Sequence, residues 1–518
     1  MATGSMDVAR AVLADRFGYE EFRPGQSRVI EAILDGKDAL AVMPTGAGKS
    51  LCYQIPAVML DGLTMVVSPL ISLMDDQVRS LRDVGIRGSY FNSTLKPYVR
   101  PEVLRRAEAG WYDLMYVAPE RLADPQFREF ATRVRVPLLA VDEAHCVSQW
   151  GQDFRPAYRE IRGFVDSLPT RPVVAALTAT ATRHVRADIT ELLGLDDPVT
   201  QVSGFDRPNL HLATHELTPR ERIRWLVRFL RRHRGETGIV YAMTRKRVEE
   251  LWSELEGEGF AAVAYHAGFS NEDRAAAQDR FANDDVQVMV ATNAFGMGID
   301  KSNVRFVVND GLPLSLEEYY QEAGRAGRDG EPAQCHLLWS RGDIRTAHYL
   351  IDRTEFPPNT ASEVRSRVLD NRNRLLGSMI GYAMSDSCLR SRILRYFGQC
   401  ADGMDESCHT CSACGWKDPK RDARALSISC DDDLAPATVF ATQADGEEDE
   451  MLFQRLRTLR KRLADEGGVR PYMVFSDATL REMVRHRPGS EEELLNVSGV
   501  GRVKLQRYGK AFLDEIRS

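Results

Sequence analysis

The sequence predicts an α/β protein of two parallel-sheet lobes, followed by a helical, cysteine-bearing subdomain and a small all-α domain. Three observations predict this: two sets of short apolar runs alternating with helix-like segments, five cysteines crowded between Cys388 and Cys414, and a basic helical tail beyond an acidic stretch. Apolar runs alternating with helical segments are the pattern of parallel strands joined by crossover helices.

In the first set, strands are expected at Ala39–Met43, Met65–Ser68, Leu114–Val117, Leu138–Val141 and Val173–Leu177. The second set holds Gly238–Tyr241, Ala262–Tyr265, Val286–Ala291, Val304–Val308 and His336–Trp339. These runs give lobes of about 1–208 and 209–340, and from Asp343 to Phe397 the pattern turns helical, within a subdomain of 341–418. Residues 419–450 carry three basic against nine acidic side chains without helical periodicity, which reads as a solvated linker. Residues 451–518 reverse the balance, fourteen basic against nine acidic, and read as a small helical domain on a tether.

A chain of 518 residues exceeds a single hydrophobic core. It is 43% hydrophobic and 28% charged, and no apolar run approaches the roughly 18 residues of a membrane span, so no membrane partner is expected. MATGSMDVAR lacks the apolar core of a signal peptide, so a cytoplasmic setting is expected. With a net charge of −7, any nucleic-acid surface has to be a local patch.

After the first strand comes PTGAGKS, Pro44–Ser50, a glycine turn whose backbone N–H groups suit phosphates. Thr45, Gly46, Gly48, Lys49 and Ser50 are the candidate ATP contacts, with Lys49 reaching the terminal phosphates and Ser50 helping to hold Mg²⁺. Met43 stands where the usual pattern has glycine. The run Val136–Val141 delivers Asp142 and Glu143 at a strand's carboxyl end, where open α/β sheets bind ligands. Asp142 is expected to hold Mg²⁺ and Glu143 to orient the attacking water. In the second lobe, YQEAGRAGRDG supplies Gln321, Arg325 and Arg328 as candidate catalytic residues. The arginines, three apart, are expected on one helix face, pointing at the first lobe's phosphates as arginine fingers.

DEAHCVSQWGQDFRPAY continues past the acidic pair into Trp150, Phe154, Arg155 and Tyr158, types suited to stacking on bases and gripping phosphate. The alternative keeps Trp150 and Phe154 in the core. Cys408, Cys411 and Cys414 form a C-x-x-C-x-x-C run with Cys388 upstream, a set of four thiolates able to close a structural Zn²⁺ shell. Cys400 and His409 are the competing ligands. In the tail, the Gly499–Val500–Gly501 turn beside Arg502, Lys504 and Arg507 offers a phosphate contact, with a tight interhelical turn as the alternative.

These motifs, in their order over about residues 10–415, resemble the superfamily 2 helicases and, more narrowly, the RecQ-type DNA helicases. FGYEEFRPGQ is similar to that family's adenine motif, which implies stacking by Tyr19 and Arg23 and edge reading by Gln26. LTATAT at 177–182 and VATNAFGMGIDK at 290–301 resemble further helicase motifs. The resemblance implies RecA-like lobes, an aromatic loop that senses DNA, and zinc on Cys388, Cys408, Cys411 and Cys414. It also implies 3′-to-5′ movement on single-stranded DNA with unwinding of forked or tailed duplexes, in a bacterial-type, nucleoid-associated setting with DNA-repair proteins as partners. RPYMVFSDATLREM and NVSGVGRVKLQRYG resemble the helical HRDC domain. One departure stands out: the acidic linker is shorter than the at least about 50 residues of an independent domain, so the family's winged helix has no place here. A motor that hydrolyses ATP and remodels DNA without separating strands is therefore the rival reading.

Overall fold

The computed structural model describes residues 2–69, 71–151, 153–295, 301–356, 361–399, 407–418 and 447–518. Gln152, Gly296–Asp300 of the VATNAFGMGIDK motif, Cys400 and most of the acidic linker lie outside the described residues.

The first lobe carries seven strands: β1 Ala39–Val42, β2 Thr64–Val67, β3 Gly88–Phe91, β4 Leu114–Val117, β5 Leu138–Val141, β6 Val173–Thr178 and β7 Val199–Val202. They form one parallel sheet in the order β3-β4-β2-β5-β6-β1-β7. Continuous apolar runs are needed because both faces are covered: Leu40 and Val42 pack into one core cluster, Ala39 and Ala41 into another. This order sets the carboxyl ends of β5, β6 and β1 side by side.

The second lobe holds β8 Leu210–Glu216, β9 Thr237–Ala242, β10 Ala262–Tyr265, β11 Val288–Ala291, β12 Val304–Asp310 and β13 Ala333–Trp339. Its parallel sheet runs β10-β11-β9-β12-β13-β8. Helices Arg341–Asp352, Ser362–Ala383 and Leu389–Tyr396 follow, and then the cysteine loop. Cys411 bridges to Leu212 of the edge strand β8, Leu212 N donates to Thr410 O at 3.1 Å, and Thr214 N donates to Ser412 Oγ at 3.3 Å.

The tail is all-helical, with Glu447–Gly467, Asp477–His486 and Arg502–Arg517 packed around Leu456, Phe475 and Phe512. It does not hang free as the sequence suggested. Gly499 N donates to Gly18 O at 3.1 Å, and Gly18, at φ +72°, approaches so closely that a Cβ there would lie 2.5 Å from Gly501 N. Arg507 pairs with Asp83 at 2.9 Å, while Lys461 and Arg470 pair with Asp285 and Asp279 of the second lobe at 2.8 and 3.2 Å. The tail thus rests on both lobes. Among the described residues no helix is long and apolar enough to cross a membrane.

Candidate active site and nucleic-acid interface

The phosphate loop leaves β1 and returns into the helix Leu51–Met59, which starts just after Ser50. Gly46 and Gly48 take φ +83° and +76°, a conformation that L side chains rarely adopt and that lets backbone N–H groups converge on an anion. Gln26, almost fully buried, braces this turn: its Nε2 donates to Ala47 O and Gly48 O, both at 3.0 Å, and its Oε1 accepts from Arg23 N at 2.8 Å. Arg23 Nη1 in turn donates to Gly46 O. The edge-reading expected of Gln26 is therefore not what its amide does here, because both ends are spent on backbone. Tyr19 is exposed.

Lys49 Nζ donates to Met43 O at 3.2 Å, and it lies in the field of Glu143, Asp142 and Arg328. Burial lowers its pKa while the two carboxylates oppose that shift. Burial and the adjacent Glu143 push the Asp142 carboxyl up to about 7, with Lys49 pulling the other way. Glu143 stands in the left-handed region at φ 47°, and its Oε2 is buried without a hydrogen-bond partner. Two repelling carboxylates, one with an orphaned oxygen, suit a divalent cation and its water shell, so the residues present fit magnesium.

Sequence reasoning missed His145. Its Nδ1 lies 3.4 Å from Glu143 Oε2 and 2.9 Å from Thr178 Oγ1, and Thr178 Oγ1 accepts from Thr180 N at 3.3 Å. Gln321 Nε2, from the second lobe, donates to Thr180 Oγ1 at 3.4 Å. A polar path therefore runs from Glu143 across to the opposite lobe. The only signal for it in sequence is the histidine's place two residues after Glu143.

The helix Leu316–Ala323 stops before either arginine of YQEAGRAGRDG, so Arg325 and Arg328 share a turn rather than a helix face. Gly324 follows the helix and Gly327, at φ +57°, bends the turn back, which ends the helical repeat. The two side chains differ in burial, Arg325 buried and Arg328 half-buried, though both lie in the field of Tyr241. A Cβ on Gly46 would sit 3.4 Å from Arg328 Cγ, so Arg328 lies on the phosphate loop. Arg325 is buried within its own lobe, in the field of Tyr241 and Glu322.

The aromatic loop divides in the same way. Trp150 is 37% exposed, set edge-on to His184 at 5.2 Å. It opens onto a cavity of about 530 Å³ whose walls include Arg183 and His184 of the first lobe, Glu317 of the second, and Arg374 and Tyr396 of the helical region. Phe154 lies under Arg159, with 5.2 Å from guanidinium to ring. Arg155 is committed to Asp153 at 3.0 Å and to Pro69 O at 3.1 Å. Tyr158 corrects the sequence reading: it is 0% exposed and its hydroxyl donates to Asp142 O at 2.8 Å, so it ties the loop to the acidic pair instead of touching DNA. Lys504 is corrected as well. Its ammonium faces the Phe475 ring at 5.8 Å, burial pulls its pKa down to about 8 and Asp83 opposes the shift, because this face of the tail packs on the first lobe.

Cys388, Cys408, Cys411 and Cys414 bring four Sγ atoms within 4.8 Å of one another, none of them in a disulfide. Zn–S bonds of about 2.3 Å place sulfurs about 3.8 Å apart, so the set fits zinc. His409 is exposed beside Ser407 and outside the cluster.

A phosphate loop on one parallel-sheet lobe, facing an arginine turn on a second, defines a two-lobed nucleotide-hydrolysing motor of the helicase class. Family signatures agree: DEAD/DEAH box helicase over 23–188, helicase conserved C-terminal domain over 221–330, RecQ zinc-binding over 341–415 and HRDC domain over 449–516. The chain is 37% identical to the ATP-dependent DNA helicase RecQ of Bacillus subtilis (strain 168) over 596 aligned residues, covering 98% of each chain. It is 35% identical to that of Pasteurella multocida (strain Pm70), covering 99% of this chain and 93% of the relative. In fold it is similar to the crystal structure of the DUF1998 helicase MrfA bound to DNA, at a TM-score of 0.55 and 20% identity, covering 67% of this chain and 53% of that one. The chain belongs to the RecQ family of ATP-dependent DNA helicases.

Proposed function

We propose that this chain couples ATP hydrolysis to 3′-to-5′ movement on single-stranded DNA and so separates forked or tailed duplexes. Arg328 resting on the phosphate loop that carries Lys49 supports this reading most directly, since it brings a cation from one lobe to the nucleotide seat of the other. Lys49 would hold the terminal phosphates, Glu143 would orient the attacking water through its Oε2, which makes no hydrogen bond, and Arg328 would stabilise transition-state charge. Ser50 and Asp142 would hold magnesium, which when bound neutralises phosphate oxygens. Trp150 would stack on a base of the tracked strand, and the polar path from Glu143 through His145 to Gln321 would report hydrolysis to the second lobe. The polarity rests on the family resemblance.

Lys49→Ala in the full chain tests the site: DNA-stimulated hydrolysis should vanish while single-stranded DNA binding persists, and substantial residual turnover would remove the assignment. A second reading, DNA remodelling without strand separation, draws on the relatives: their alignments span more positions than this chain's 518 residues, which fits an internal segment that this chain lacks. Unwinding assays on a fork, a 3′-tailed and a 5′-tailed duplex separate the two, since the rival predicts hydrolysis with no released strand.

A further inference from the structure

Arg207 lies in the short connection between β7 and β8, and its guanidinium touches both sides of the cleft. Nη1 donates to the Thr45 carbonyl of the phosphate loop at 2.6 Å and to Gly324 O at 3.3 Å. Nη2 donates to Ala326 O and Gly327 O, both at 3.0 Å. Asn209 repeats the hold on the arginine turn, donating to Gly327 O at 2.8 Å and Glu331 O at 2.9 Å. Burial lowers the pKa of Arg207, and all four groups it donates to are carbonyls.

The connection itself is pinned to the zinc-bearing region. Arg390 pairs with Asp206 and donates to Arg207 O at 2.8 Å and Leu210 O at 2.6 Å. Phe205 stacks on Phe397 at 4.4 Å, and its N donates to Gln399 Oε1 at 2.7 Å. Arg207 therefore has a fixed backbone and a head that spans two moving parts.

We infer that Arg207 is a positioning residue that ties the phosphate loop to the arginine turn, so that Arg328 meets the nucleotide only in the closed cleft. Three of its four contacts belong to the turn and one to the loop. Opening the cleft breaks the Thr45 contact alone, and Arg207 then travels with the second lobe. The task needs a planar fork with separated donors, and the single ammonium of lysine cannot span both sets of carbonyls. This role rests on the proposed ATP-driven motor and names the residue that sets its interlobe geometry.

The experiment compares Arg207→Lys and Arg207→Met with wild type in the full chain, measuring kcat and KM for DNA-stimulated ATP hydrolysis and the affinity for a fluorescent ATP analogue without DNA. Both variants should lose about tenfold or more in kcat, the scale of one charge-assisted hydrogen bond, with analogue affinity within about twofold of wild type. Wild-type kcat in Arg207→Lys would overturn the inference, because charge alone would then suffice. Analogue affinity falling in step with kcat would overturn it too, since Arg207 would merely hold the loop folded. Small-angle scattering supplies a readout independent of turnover. Oligothymidylate with a non-hydrolysable ATP analogue should compact wild type and not Arg207→Met, and equal compaction would refute the strap. If wild type compacts but does not hydrolyse ATP, the helicase reading fails while the strap is still judged by the variants.

Discussion

Arg328 of the second lobe lies directly over Gly46 of the first, so close that a single added methyl on the glycine would touch its side chain at 3.4 Å. Arg325, three residues earlier, is the more deeply buried of the two and lies in the field of Tyr241 and Glu322. Two residues of one type in one turn thus face different tasks.

Arg328→Ala should lower kcat for ATP hydrolysis by about a thousandfold, the lower range for an arginine finger, with nucleotide affinity little changed. Arg325→Ala should instead lower thermal stability, because buried Glu322 loses a compensating charge. Steady-state kinetics and melting curves on the two variants check the split, and equal kinetic losses without destabilisation would contradict it.

The raised Asp142 carboxyl gives a pH dependence of definite sign. A carboxyl whose folded pKa of about 7 exceeds its unfolded value of about 3.9 binds its proton more tightly when folded, so stability falls as pH rises between the two. Asp142→Asn should therefore raise the melting temperature by a few degrees at pH 8 and change little at pH 4, while hydrolysis is lost. In wild type, magnesium-dependent analogue binding should weaken as pH drops below about 7, because the metal competes with the proton. A titration flat from pH 6 to 8 would contradict this.

Trp150 and Tyr158 should behave oppositely despite sharing a loop. Trp150→Ala removes an exposed ring and should cost about 1–3 kcal/mol of single-stranded DNA affinity. Tyr158→Phe removes a buried hydroxyl that supports Asp142 O, and should cost about 1 kcal/mol of stability without reducing DNA affinity. Fluorescence anisotropy and thermal melts on both variants measure the difference.

Cys411→Ser should abolish stoichiometric zinc and expose residues of about 345–415 to protease, because binding energy at a structural zinc site is folding energy. Metal analysis and limited proteolysis check it. Full zinc with unchanged cleavage would rule the ligand set out.

The ten apolar runs visible in the sequence are the inner strands of the two sheets together with β10, whereas the three it hides are β3, β7 and β8, all at sheet edges. Edge strands need not be apolar throughout: β7 alternates half-buried with exposed residues, and β8 carries His211, Thr214, His215 and Glu216. Lys49, Asp142 and Glu143 are legible because parallel sheets place ligand groups at strand ends, which sequence order marks. The positions of His145, Tyr158, Lys504 and Arg207 are not, since each is decided by what packs against it from far along the chain. The arginine turn misleads for a local reason, three glycines that break the helical repeat carrying the arginines.

The cysteine loop lies along β8, the outermost strand of its sheet, and occupies backbone groups that would otherwise stand bare. A naked margin of that kind recruits strands from other molecules. Stripping the ion would leave a sticky seam, so the metal doubles as a guard against polymerisation, and chelated protein should gather into oligomers before its catalytic lobes melt.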